Sequence, residues 1–75
     1  MDREEIMELI RKGPIRVTMN DGSTYDVAGV EYCLVTPISM SVMVKNTDAS
    51  VDKEWRTHHL PLVTIAGVEE LQPHA

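Results

Sequence analysis

His58 and His59 are adjacent, and imidazole is a common zinc ligand. Structural zinc takes about four ligands that converge from separated positions. Neighbouring residues of a strand point to opposite faces, so these two histidines cannot easily share one ion within a chain. His74 stands near the carboxyl end, and Cys33 is the single cysteine. One exposed and one partly packed histidine are expected, with no metal and no cofactor. Convergence of one histidine per copy across a ring of subunits keeps a metal site in view. Cys33 beside a histidine would make a nucleophilic pair. It follows Tyr32 and precedes Leu34 in an apolar run, where free cysteine serves as a small hydrophobe. Asp21, Asp26 and Glu31 are spaced like turn and strand-surface residues. The four glycines are scattered, so no phosphate-cradling loop is present. The expectation is a protein that is not an enzyme, with a metal-binding or hydrolytic protein as the remote alternative.

Twelve acidic residues against seven lysines and arginines leave a net charge of −5. That charge opposes non-specific attraction to phosphate backbones. Aromatic residues are only Tyr25, Tyr32 and Trp55, too few for a base-stacking track. If RNA is bound, Lys45, Lys53 and Arg56 are the residues expected to hold it. Met19, Met40 and Met43 read as core or interface filler. Alternation turns Met43 outward, which marks it as a subunit contact. Trp55 reads as a packing or interface anchor.

These side chains need a framework, and Asn20-Asp21-Gly22 announces it. Asp-Gly between alternating hydrophobic runs is a strong hairpin signal. A three-residue loop, Asn20 to Gly22, pairs Val17 with Tyr25, Arg16 with Asp26 and Ile15 with Val27. One face is then mostly apolar and the other carries an ion pair. A one-residue slip would invert every face. Gly22 takes the left-handed position of a G1 bulge.

Before the hairpin, Asp2 to Lys12 reads as a helix. Asp2 and Glu5 fit a capping box, and Ile6, Leu9 and Ile10 recur at helical spacing. Gly13-Pro14 stops it. After the hairpin, the inward set passes from Tyr25 and Val27 to Val30, Tyr32 and Leu34. Ala28-Gly29 is therefore expected to bend one continuous strand. Thr36-Pro37 turns the chain, and Ile38, Met40, Val42 and Val44 alternate along the next strand. Asn46 to Ser50 reads as a loop and Asp52 to Leu60 as a strand interrupted by Pro61. Val63 to Ile65, with Val68, forms the last strand, and residues 69–75 form an acidic tail.

A helix followed by five short strands with tight connections resembles the Sm/LSm superfamily in layout. The run Val17-Thr18-Met19-Asn20-Asp21-Gly22 looks like the first Sm motif. Met1 to Leu71 is also similar to a set of short, uncharacterised bacterial and phage proteins. The shared features are Arg3-Glu4-Glu5, Asp21-Gly22 and Ile65-Ala66-Gly67-Val68-Glu69. The resemblance implies subunit pairing through the stretches Lys53–Arg56 and Val63–Ile65. The family's uridine-binding Asp-x-x-x-Asn stretch does not occur around Glu31 to Val35. Neither Arg-Gly nor Lys-His occurs in Arg56 to Leu62, so the family's RNA site does not transfer by residue.

One domain over residues 1–75 is expected. It is mainly β, with an N-terminal helix (1–12), a strongly bent five-stranded Sm-like or SH3-like barrel (15–68) and a tail (69–75). A chain this short buries only about 60% of its unfolded surface, and such domains often gain stability by oligomerising. The expected function is a non-enzymatic, oligomerising binding module, with an RNA-binding Sm-like protein as the alternative. Met43, Trp55, Val63 and Ile65 are the expected interface residues. The expected partner is a second copy, with a ring as one form. No apolar run is long enough to span a membrane. The amino terminus shows no signal-peptide pattern. The lone cysteine fits a reducing cytoplasm, and the resemblance implies a bacterial or phage origin.

Overall fold

The computed structural model describes residues 2–45 and 55–71. It begins with α1 (Arg3–Lys12). The Asp2 carboxylate caps this helix by accepting from the Glu4 amide at 3.4 Å. Such a cap satisfies one of the amides that a helix start leaves unpaired. Ile6 and Ile10 face inward and are fully buried. Gly13 ends the helix at φ 150°, a conformation that favours glycine, and its amide bonds the Ile10 carbonyl.

Two antiparallel three-stranded sheets follow. The first has the order β2-β1-β6, from β1 (Ile15–Met19), β2 (Thr24–Val27) and β6 (Ile65–Glu70). The second has the order β3-β4-β5, from β3 (Cys33–Val35), β4 (Ser39–Lys45) and β5 (Trp55–Pro61). The hairpin register is the one its apolar pattern demands. Ile15 faces Val27, Arg16 faces Asp26, and Val17 faces Tyr25. The Gly22 amide donates to the Met19 carbonyl at 3.0 Å, and Gly22 has φ 91°. On the outer face the Arg16 guanidinium grips Asp26 through contacts of 2.8 and 3.2 Å. The hydrogen bond from Arg16 holds the Asp26 carboxyl below its usual range. The Ser23 amide does the same for Asp21, closing a local turn at 2.9 Å.

The expected single bent strand is instead two strands. A 3-10 turn at Val30–Tyr32 separates β2 from β3. Its three residues reset the alternation, so Leu34 is 66% exposed while Val35 is buried. Of the expected inward set, Val30 and Leu34 are exposed and Tyr32 is half-buried against the core, while Cys33 and Val35 take the inner row of β3. Ile38 is also displaced from the core. The Thr36 hydroxyl accepts from the Ser39 amide at 2.9 Å, which keeps Ile38 in the turn and delays the strand to Ser39. Met40 and Val42 then fill the interior as their alternation predicts.

Pro61 ends β5, and a second 3-10 turn at Leu62–Thr64 leads into β6. This turn ties the sheets together. The Leu62 amide donates to Ile38, and the Asn20 amide donates to Thr64. Val63 thus lies in a turn, not in the last strand. Glu69 and Glu70 belong to β6, opposite Arg16 and Ile15, so the expected tail is shorter by these residues. Asn46 to Ser50, the start of the expected strand at Asp52, and residues 72–75 lie outside the described residues.

Both sheets and the helix share one core of Ile6, Ile10, Ile15, Val17, Met40 and Val42, with neighbours from every strand. The helix packs on β6, β3 and the Val30–Tyr32 turn. Arg3 adds a bond from its side chain to the Val35 carbonyl at 3.1 Å, which covers part of the β3 edge. No helix among the described residues is long and apolar enough to cross a membrane.

Candidate interaction surface

β5 places its residues in two rows because a strand alternates. Arg56, His58 and Leu60 oppose Val44, Val42 and Met40 of the core row. Trp55, Thr57 and His59 oppose Lys45, Met43 and Ser41 on the outer row. The adjacent histidines accordingly diverge. His58 is half-buried with its ring 4.9 Å from that of Tyr25. His59 is exposed, and its Nδ1 lies 2.8 Å from the Ser41 hydroxyl. No group of three or more His, Cys, Asp or Glu side chains is gathered for a metal among the described residues.

Cys33 is half-buried, and its thiol donates to the Val30 carbonyl at 3.6 Å. Burial pushes the thiol's pKa up, and the Glu31 charge adds to this. A thiol kept protonated is a poor nucleophile, since the thiolate is the reactive form.

The outer face of β3-β4-β5 exposes three of the described large hydrophobic side chains. Leu34 is 66% exposed, and Met43 and Trp55 are about 40% and 42% exposed. Trp55 is held flat against Tyr32, with ring centroids 4.8 Å apart and planes 7° from parallel. This stack was not legible in the sequence, since no periodicity joins a 3-10 turn to the start of a distant strand. A shallow groove of about 290 Å³ runs beside it, lined by Tyr32, Leu34, Ser41, Met43 and Thr57 among others. A second groove of about 500 Å³ lies between β2 and the ends of β4 and β5, walled by Tyr25, Val44 and Trp55.

Trp55 is the only tryptophan, so its fluorescence reports on the stack alone. Tyr32→Ala is expected to shift Trp55 emission to the red and to cost about 0.5–1.5 kcal/mol, the usual worth of an aromatic pair. An unchanged emission maximum would show that the rings do not touch in solution.

Of the residues expected at an interface, Met43 and Trp55 share this outer face. Val63 is 84% exposed but sits in the Leu62–Thr64 turn, away from any ladder. Ile65 is corrected from interface to core. It opposes Met19 and is only 7% exposed, because β6 starts at this residue with its side chain inward. Of the expected RNA contacts, Arg56 is exposed on β5. Lys53 lies outside the described residues, and Lys45 is described by its backbone alone. The three cations are therefore not assembled into a patch by anything described.

No family model matches the chain, and neither the curated proteins nor the solved structures offer a match.

Proposed function

We propose that this chain is a non-enzymatic binding module with an Sm-like layout that associates with copies of itself through open sheet edges. The observation that carries this reading is that each sheet ends in two edge strands, β2 and β6 in one and β3 and β5 in the other, each with one side free among the described residues. Among the described residues β5 pairs only with β4, and β6 pairs only with β1. Each leaves a row of backbone N–H and C=O groups without a strand partner. Such a row is a template on which another strand adds.

The barrel layout draws support from how the sheets connect. The 3-10 turn at Val30–Tyr32 carries the chain directly from β2 in one sheet to β3 in the other. The Leu62–Thr64 turn makes the second connection, and α1 lies over β3 and β6. The exposed Leu34, Met43 and Trp55 give the module apolar surface beyond its edges. A single free thiol also fits a reducing cytoplasm.

Size-exclusion chromatography with light scattering tests the reading. The expected mass exceeds that of one chain, grows with concentration and levels off at a closed species. A single chain at every concentration into the millimolar range would end it.

A further inference from the structure

Charge is absent from two runs of the chain. Residues 32–44 and 57–68 contain no aspartate, glutamate, lysine or arginine, although 25% of the whole chain is charged. The fold brings these runs together. They supply β3, nearly all of β4, most of β5, and the turns that follow β3 and β5. On the outer face, Leu34, Ser41 and His59 form one cross-strand row, and Met43 and Thr57 form the next. The Leu62 amide bonds the Ile38 carbonyl at 3.0 Å, which fastens the two turns at the end of this face. Ile38 is 80% exposed there, and Val63 is as open. Leu34, Ile38, Met43 and Val63, four of the six exposed large hydrophobics among the described residues, thus belong to one uncharged region. Exposed apolar patches with polar rims mark interaction sites.

We infer that this face docks on the same face of a second copy, related by a two-fold axis, with Leu34, Ile38 and Met43 buried in the contact. The inference rests on the self-association proposed above, but it uses a sheet face and no strand edge. Charge selects the occupant. Each copy carries a net charge of −5, so two copies repel wherever their carboxylates approach. The helix presents Glu4, Glu5 and Glu8, and the other sheet with its hairpin presents Asp21, Asp26, Glu69 and Glu70. The uncharged face lets two acidic copies meet without apposing like charges. A strongly basic or acidic partner would find no counter-charge on it. Ser41 and His59 already bond each other at 2.8 Å, which lowers the cost of covering them. Charges stand at the borders: Glu31 precedes β3, and Lys45 and Arg56 lie at the far ends of β4 and β5. A two-fold axis through the middle of β4 lays those far ends over the second copy's turns, so the border cations do not meet. A face that meets itself closes at two copies, unlike a junction of two different edges.

Sedimentation equilibrium tests the face. Leu34→Glu and Ile38→Glu are each expected to weaken association about tenfold or more, because each buries a charge without a partner. Val30→Glu is the control. Val30 is exposed but lies outside the face, so its variant is expected to associate as the unaltered chain does. Circular dichroism checks that each variant is folded. Where a glutamate variant fails that check, Leu34→Ser or Ile38→Ser takes its place, with a loss again of about tenfold from the apolar burial removed. Face variants that associate like the unaltered chain overturn the contact between copies and leave the face to a different partner, with edge association still standing. Equal weakening by Val30→Glu also overturns it, since the effect would then be charge added to an acidic chain. An unaltered chain that stays single at all concentrations overturns both this contact and self-association.

Discussion

Ile15→Ala is expected to remove about half or more of the chain's stability. Ile15 is fully buried and sits where β1 meets both of its neighbours, opposite Val27 on one side and Glu70 on the other. Truncation removes the transfer energy of the lost methyl groups and leaves a cavity that the surroundings fill only in part. Together these cost about 2–5 kcal/mol. Natural domains hold roughly 0.05–0.15 kcal/mol per residue, so a chain of this length has about 4–11 kcal/mol in all. The small buried fraction of a short chain places it toward the low end. One substitution thus takes about half of the total or more. Urea titration followed by Trp55 fluorescence should show a lower midpoint at unchanged slope, which marks lost stability without a changed denatured state. The titration belongs at low protein concentration, because association would add its own stabilisation. Val63→Ala is the control. Its side chain is 84% exposed, and surface changes of this kind stay within about 0.5 kcal/mol. An Ile15→Ala midpoint equal to that of the unaltered chain would mean that the shared core is wrongly placed.

The contrast between Ile15 and Val63 shows what a sequence makes legible. Ile15, Val17 and Met19 alternate without interruption up to a turn whose chemistry is explicit, so face and register are fixed together. Met40 and Val42 are legible for the same reason, and Ile6 and Ile10 through their helical spacing. Errors gather where a 3-10 turn is inserted between strands. A period of two assumes that each residue flips the face, and three helical residues break that phase; Gly29 marks a bend there but not its length. Alternation alone places Val30, Tyr32 and Leu34 inward, whereas Val30 and Leu34 are exposed, Tyr32 is half-buried against the core and Val35 holds the inner row. Val63 failed in the same way after Pro61. There Leu62, not Val63, turns inward and is 4% exposed. Ile38 departs from its alternation because a side-chain hydroxyl decided the turn: the Thr36 Oγ1 accepts from the amides of Ile38 and Ser39. On the candidate surface, alternation sufficed to send Met43 outward and to separate His58 from His59. It could not bring Tyr32 to Trp55, or set Arg56 and the two glutamates on opposite free edges. Those are tertiary facts, created when two sheets meet through turns that no local pattern encodes.

Gly22 offers the sharpest test of the hairpin on which that order depends. Gly22→Val is expected to destabilise the chain by about 1–3 kcal/mol, the cost of holding a residue in a sparsely populated backbone region. Neighbouring atoms add nothing to this cost, because a Cβ built at Gly22 meets no atom within 4 Å. The penalty comes from φ 91° alone, which places a branched L side chain against its own backbone. Two further variants separate that cause from a general sensitivity of the turn. Gly22→Asn should lose much less, because asparagine is enriched several-fold among residues with positive φ. Gly22→D-Ala, accessible by chemical synthesis of so short a chain, should gain stability. A D residue prefers positive φ, and its added Cβ narrows the unfolded ensemble, an effect of about 0.4–1 kcal/mol where the native conformation suits it. The order of denaturation midpoints is therefore D-Ala above Gly, Gly above Asn, and Asn above Val. A D-Ala midpoint below that of Val would place Gly22 at negative φ. The three-residue loop would then be wrong, and the pairing of Arg16 with Asp26 and of Val17 with Tyr25 would fall with it.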